Sequence, residues 1–206
     1  VASHIAQDGH VAAEERGSSP GDPSALEGAD TSLMIVTIPG LGALSEDEFD
    51  WLASEPLDVQ AFGNRCRFIV DGFEPSEAVS LTATVQSFCA LTAAGLKREA
   101  GDHVWAYYRD FAVRYADEPR FPSISGADRV WGFVTFGDEV WVKRGGSHWY
   151  VSVENECAWE AEHGLELVFK DGWQLLKVGQ VDGHLTNRAA FGDDAIPEDA
   201  VYWSPF

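Results

Sequence analysis

Apolar residues recur along this chain in three rhythms, each of which predicts a different kind of element. The first is a series of short apolar runs broken by turn residues: Ile35–Ile38, a Pro39-Gly40 turn, then 41–44, 57–62 and 65–70. These read as short strands, because β-branched and aromatic runs bounded by Gly and Pro favour extended chain. Among them, Ser45-Glu46-Asp47-Glu48 places a Glu three residues after a Ser, the spacing of a capping box, and predicts a short helix leading into Phe49 and Trp51. The second rhythm follows Pro75-Ser76-Glu77, where Val79, Thr82, Val85, Phe88, Cys89, Thr92 and Leu96 fall three or four apart. That spacing predicts one amphipathic helix over 79–96 with Cys89 in its buried stripe. After a break at Gly101-Asp102, Val104, Tyr107, Tyr108, Phe111 and Tyr115 predict a second helix, ended by Pro119, whose aromatic face reads as core rather than ligand cradle.

The third rhythm alternates. Residues 130–136 and 139–143 flank Gly137-Asp138, residues 149–153 alternate, and 165–169 face 173–178 across Lys170-Asp171-Gly172, a hairpin signal. Helices followed by consecutive hairpins predict an α+β fold: an antiparallel sheet formed largely by residues 130–178, two main helices packed on one face, and short strands before them. Residues 1–32 carry no sustained apolar period and read as a flexible acidic tail. Residues 33–187 then form a single α+β domain, and 188–206 an acidic C-terminal extension whose Tyr202-Trp203-Ser204-Pro205-Phe206 packs back on the body. Met34, the sole methionine, stands just before the first apolar run and marks an alternative start.

Composition narrows the function classes. With 206 residues, 45% of them hydrophobic and eight of them Trp, the chain can bury a core without disulfide or metal support. Its 34 Asp and Glu against 14 Lys and Arg give a formal charge of −20, a field that repels nucleic-acid phosphates and anionic membranes and accelerates encounter with a basic partner. Cys66, Cys89 and Cys157 are far apart, show no CxxC spacing and leave one unpaired, so no disulfide framework is expected and a reducing cytoplasm suits them. No apolar run approaches the roughly 20 residues of a membrane span.

Chemistry-bearing side chains are densest from Glu154 to Leu165, a segment read as a loop between two strands. Trp159, Glu160, Glu162, His163 and Gly164 lie there, and carboxylates with an imidazole can bind a divalent cation or exchange protons near neutral pH. The zincin pattern is absent, since Glu162-His163 has no second His one turn away. The expected role is therefore architectural, with Trp159 and Leu165 pointing inward, His163 bonded to backbone or a carboxylate, and Gly164 supplying an unusual backbone angle. A second cluster holds Asp182, Gly183, His184 and Asn187: Asp182-Gly183 reads as a turn, with His184 and Asn187 tying it to neighbouring backbone. Cys157 sits among acids that raise a thiol pKa, and neither a phosphate loop nor a GxSxG elbow occurs. No catalytic residue and no cofactor is indicated.

The run Trp159-Glu160-Ala161-Glu162-His163-Gly164-Leu165 is followed by Phe169-Lys170-Asp171-Gly172, Val178-Gly179 and Asp182-Gly183-His184-Leu185-Thr186-Asn187, and preceded by Ile38-Pro39-Gly40-Leu41-Gly42 and Trp51. It resembles a group of uncharacterised bacterial domain-of-unknown-function proteins over most of residues 34–187. Related proteins are grouped with immunity proteins, small cytoplasmic proteins that bind and silence a cognate toxin. The resemblance thus implies an immunity-type protein, and with the acidic charge the expected partner is a basic protein, with no nucleic acid or membrane as partner. Two alternatives stand beside it: a metal-dependent hydrolase using Glu160, Glu162, His163 and His184, and a nucleic-acid mimic suggested by net charge alone.

Overall fold

The computed structural model describes residues 35–46, 49 and 51–204. The early apolar runs become strands β1 (Ile35–Ile38), β2 (Gly42–Glu46), β3 (Leu52–Ser54), β4 (Leu57–Val59) and β5 (Asn64–Asp71). Ser45 and Glu46, expected to open a capped helix, instead complete β2, where Ser45 lies opposite both Ile35 and Ala53. With a strand on either side, the ladder satisfies the backbone groups that a cap would otherwise serve. Asp47 and Glu48 lie outside the described residues.

Two helices follow, α1 (Ala78–Cys89) and α2 (Ala93–Tyr115), meeting at an 88° bend. The single helix expected over 79–96 is divided at Thr92, whose extended backbone and side-chain oxygen, accepting from Gly95 N at 3.1 Å, form the N-cap of α2. In α1 the buried stripe is Leu81, Thr84, Val85 and Phe88: Val85 and Phe88 are buried as their spacing predicts, whereas Val79 is 84% exposed and Leu81 and Thr84 take the inward positions of the first turns. The expected break at Gly101-Asp102 is also absent. Gly101 lies on the buried face of α2 toward the Trp131 indole, so this glycine marks close packing and not a helix end.

After a 3₁₀ turn at Val130–Phe133 come β6 (Val134–Gly145), β7 (His148–Cys157), β8 (Glu160–Lys170) and β9 (Gln174–Gly179). Among the described residues, the nine strands share one sheet, in the order β1-β2-β3-β5-β6-β7-β8-β9 with β4 beside β5. Its pairings are antiparallel except β5–β6, which are parallel across the two-helix crossover. The sheet is therefore wider than residues 130–178. Gly137-Asp138, read as a turn, lies inside β6 at a bulge between Phe136 and Val140.

Register divides the sheet into two faces. Phe68, Val140, Val151, Val153 and Leu167 share one face and join the buried side chains of both helices in one core cluster, with Phe88 of α1 against Phe68 and Phe169, and Tyr107 and Tyr108 of α2 against Trp159. Ile69, Trp141, Ser152, Glu154, Glu166 and Lys177 occupy the other face. The described residues fall in one compact unit, while the expected tail, 1–32, lies outside them. The segment read as a C-terminal extension is fastened to the sheet: Val178 N donates to Val201 O, and Asn187 at the start of α3 (Asn187–Phe191) donates to the carbonyls of Ala200 and Val201, both at 2.9 Å. Among the described residues, no single helix is long and apolar enough to cross a membrane.

Candidate functional site

The segment from Glu154 to Leu165 is not a loop but the arm of the β7–β8 hairpin, turning at Ala158-Trp159. Alternation is what makes it a strand pair: Asn155, Cys157, Trp159 and Leu165 are buried, whereas Glu154, Glu156 and Glu162 face solvent. Glu160 closes the turn, its Oε1 accepting from Glu162 N at 2.8 Å and His163 N at 3.0 Å. His163 Nδ1 stands 3.7 Å from the same oxygen. Gly164 has φ +66° and passes so near β7 that a Cβ there would lie 2.5 Å from the Asn155 carbonyl oxygen. The carbonyl of Gly164 accepts from the Tyr107 hydroxyl at 3.0 Å, which ties the arm to α2.

Asn155 organises this end of the sheet. Its side-chain oxygen accepts from Gly137 N at the β6 bulge, and its amide donates to the carbonyls of Val153 and Leu165. The two bulges that this buried amide ties together border a cleft of about 1140 Å³. The cleft is lined by five carboxylates, Asp138, Glu154, Glu156, Glu160 and Glu162, with His163 and no Lys or Arg. Partial burial holds the Glu154 carboxyl above its ordinary pKa; Glu166 opposite it adds repulsion, Lys143 opposes the rise and Glu139 adds to it.

The second cluster is built around a residue that carried no motif, Lys177. It is buried in β9, and its ammonium donates to Glu166 Oε2 at 2.6 Å, to Asp182 Oδ1, and to the carbonyls of His184 and Gln180 at 3.2 and 3.4 Å. Glu166 is completed by Ser152, whose hydroxyl donates to Oε1 at 2.6 Å. Asp182 Oδ1 also accepts from His184 N at 2.9 Å and lies 3.1 Å from His184 Nδ1, while Gly183 takes φ +78° in the turn. Lys177 thus fastens the segment after β9 to the outer face of the sheet. Its sequence signal is a charge inside the apolar run Leu175-Leu176-Lys177-Val178, matched by Glu166 between Leu165 and Leu167 on the paired strand.

The four residues of the hydrolase alternative fall into these two separate arrangements. Glu160 and His163 stand together at the turn, Glu162 lines the cleft, and His184 is paired with Asp182. Among the described residues, no group of three or more His, Cys, Asp or Glu side chains is placed to hold a metal ion. Trp159 and Leu165 point inward. The Cys157 thiol is raised to about 12, chiefly by burial, with backbone hydrogen bonds at Glu160 and Trp159 opposing and the charge of Glu160 contributing least. Its direction agrees with the sequence reading, but burial and not the acidic run is the main cause.

A protein-family model, Domain of unknown function (DUF6985), matches residues 40–185, which span β2 to β9, the cleft residues and the second cluster as far as His184. No curated protein and no solved structure matches the chain.

Proposed function

We propose a function from one premise: the chain belongs to the DUF6985 family, whose function is undefined, so the reading rests on its surface. It is an acidic binding protein of the immunity type, neutralising a basic protein partner such as a bacterial toxin. The observation that carries this reading is the cleft at the end of the β7–β8 arm, with five carboxylates and no Lys or Arg in its lining. Carboxylates set in a concave wall focus the field of a chain with a net charge of −20, and that field attracts a lysine- or arginine-rich surface while repelling nucleic acid and anionic membrane. Phe133, partly exposed on the same lining, offers an aromatic anchor beside the charges. In this reading α1 and α2 cover one face of the sheet and the cleft end is left for the partner. The protein works in the cytoplasm, where Cys66, Cys89 and Cys157 stay free thiols.

The test is capture of the product of an adjacent gene by the tagged full chain, beside a Glu156→Lys/Glu162→Lys variant that reverses charge at two exposed positions. Capture of a basic protein by the parent and its loss in the variant support the reading. Undiminished capture by the variant removes the cleft from it, and turnover of a small-molecule substrate without any partner overturns it.

A further inference from the structure

A second, smaller cavity of about 250 Å³ lies between α2, β9 and the C-terminal segment, and shares no lining residue with the acidic cleft. Phe111, Phe191, Tyr202 and Trp203 are among its walls. The lining carries no net charge, since Asp110 and Asp182 balance Lys177 and Arg114. Each of these four is already engaged: Asp110 accepts from the Tyr202 hydroxyl, Lys177 binds Asp182, and Arg114 has a partner of its own. Ser204 is hydrogen-bonded to Tyr202, and the Tyr107 hydroxyl donates to Gly164 O. The polar atom of this lining that is held in the interior without a partner is the Asn187 oxygen. Asn187 is 3% exposed, and its amide donates to the carbonyls of Ala200 and Val201. Among the described residues no donor reaches its oxygen, which stands 3.7 Å from where a Cβ on the floor residue Gly179 would lie. Gln180, exposed at the rim, carries both a donor and an acceptor and so selects neither sign of charge.

A charged guest would leave water here without meeting a surplus counter-charge, and the cost of desolvating an ion would not be offset. A neutral guest gives up far less. Aromatic walls favour a flat ring, stacked or edge-on. The Asn187 oxygen, costly to leave buried and unbonded, favours an N–H or O–H donor on that ring. We propose that this cavity binds a small neutral aromatic molecule carrying such a donor, with a primary arylamide as its simplest form. The ring lies among the aromatic walls and the donor meets Asn187 Oδ1, the arrangement of an apolar pocket oriented by one placed polar group. The volume suits roughly ten non-hydrogen atoms, given that one water occupies about 30 Å³ of liquid. This inference is independent of the basic-partner reading.

The test is calorimetric titration of the full chain with four ligands of one shape and size: benzamide, acetophenone, benzamidinium and benzoate. Benzamide is expected to bind saturably at one site, about tenfold or more tighter than either ion and than acetophenone, which lacks the donor. Gly179→Ala sets a methyl before the Asn187 oxygen at ordinary contact distance, so the fold is kept while the gap between benzamide and acetophenone closes. Trp203→Ala, at a side chain 38% exposed, should weaken both neutral ligands about tenfold and leave the melting temperature near that of the parent. No saturable benzamide binding, an ion bound as tightly as benzamide, acetophenone equal to benzamide in the parent, or benzamide binding untouched in both variants would overturn the proposal.

Discussion

The backbone of α1 rests on Gly172: a Cβ at this position would lie 2.0 Å from the carbonyl oxygen of Thr84 and 3.1 Å from the Phe88 nitrogen. Gly172 also takes φ +77° in the turn between β8 and β9, beside Asp171 at φ 51°. The hairpin and its contact with the helix thus depend on the same missing side chain. Gly183 has nearly the same angle, φ +78°, with nothing within 4 Å of a Cβ. Comparing Gly172→Ala with Gly183→Ala therefore separates steric conflict from backbone strain. The second should cost about 1–2 kcal/mol, the left-handed penalty alone. The first should cost roughly 4 kcal/mol or more, in the range reserved for a lost structural contact. Urea unfolding of both variants measures the gap, and equal costs would refute the direct seating of α1 on the turn.

Lys177 and Glu166 form an ion pair with both side chains 1% exposed. Removing one partner leaves a charge in low dielectric, so Lys177→Met should destabilise the chain by about 3–5 kcal/mol. The double variant Lys177→Met/Glu166→Leu removes both charges and should recover most of that loss. A double-mutant cycle in urea gives the coupling directly. Additive costs would mean that the pair is screened.

Element types were more legible in the sequence than element boundaries. The hairpin at Lys170-Asp171-Gly172 was plain because positive φ at two adjacent positions selects Asp-Gly strongly, and apolar runs at 165–169 and 173–178 stand on either side. The helix register was legible only in part: Val85 and Phe88 are buried as read, but Val79 and Thr82 fit a helical spacing with them as well as Leu81 and Thr84 do, and only tertiary packing decides which side of the first turns is covered. Gly137 and Gly164 looked like turn and strand-entry residues. Both lie at register shifts where backbones approach closely, Gly137 against the Glu154 carbonyl and Gly164, with the positive φ expected of it, against the Asn155 carbonyl, information carried by partners 17 and 9 positions away and not by neighbours. The acidic cleft was half legible. Glu154 to Glu162 stood out as a run, but Asp138 joins them only through the β6–β7 register, and the buried Lys177–Glu166 pair becomes visible only when β8 and β9 are aligned.

Because its carboxyl is raised in the folded chain, Glu154 binds its proton more tightly folded than unfolded. Its contribution to stability is complete below the unfolded carboxylate pKa and is lost as pH rises through the higher folded value. Glu154→Gln cannot ionise. Its melting temperature should match the parent at low pH and exceed it progressively as the pH passes upward through the carboxylate range. Thermal melts across that range check the sign, and a gap that widens toward acid would contradict it.

The thiols should be silent in the native state. Burial, with the charges of Asp138 and Cys89, pushes Cys66 up to about 11, and Cys157 reaches about 12. Cys89 is raised by burial too but is only half-buried. At pH 8, iodoacetamide should label Cys89 slowly and leave Cys66 and Cys157 intact until denaturant exposes all three, as mass mapping of the adducts would show. Rapid native labelling of Cys157 would place it at an accessible site.

The basic-partner reading makes a kinetic prediction that charge alone can generate. The lining of the cleft holds five carboxylates within a chain of net charge −20, so the long-range attraction acts before contact and is screened over about 8 Å at physiological ionic strength. Raising the salt should then slow association steeply. Dissociation is governed by buried anchors and desolvated pairs, which salt reaches poorly, and should change far less. Reversing Glu156 and Glu162 to Lys should flatten the salt dependence of association in proportion to the charge removed, because these two side chains face solvent and contribute field without holding the fold. Binding kinetics at two salt concentrations, for parent and variant, test both statements. Association insensitive to salt would leave binding intact but remove the acidic cleft as its cause, whereas an equal salt effect in parent and variant would move the attraction elsewhere on the acidic surface.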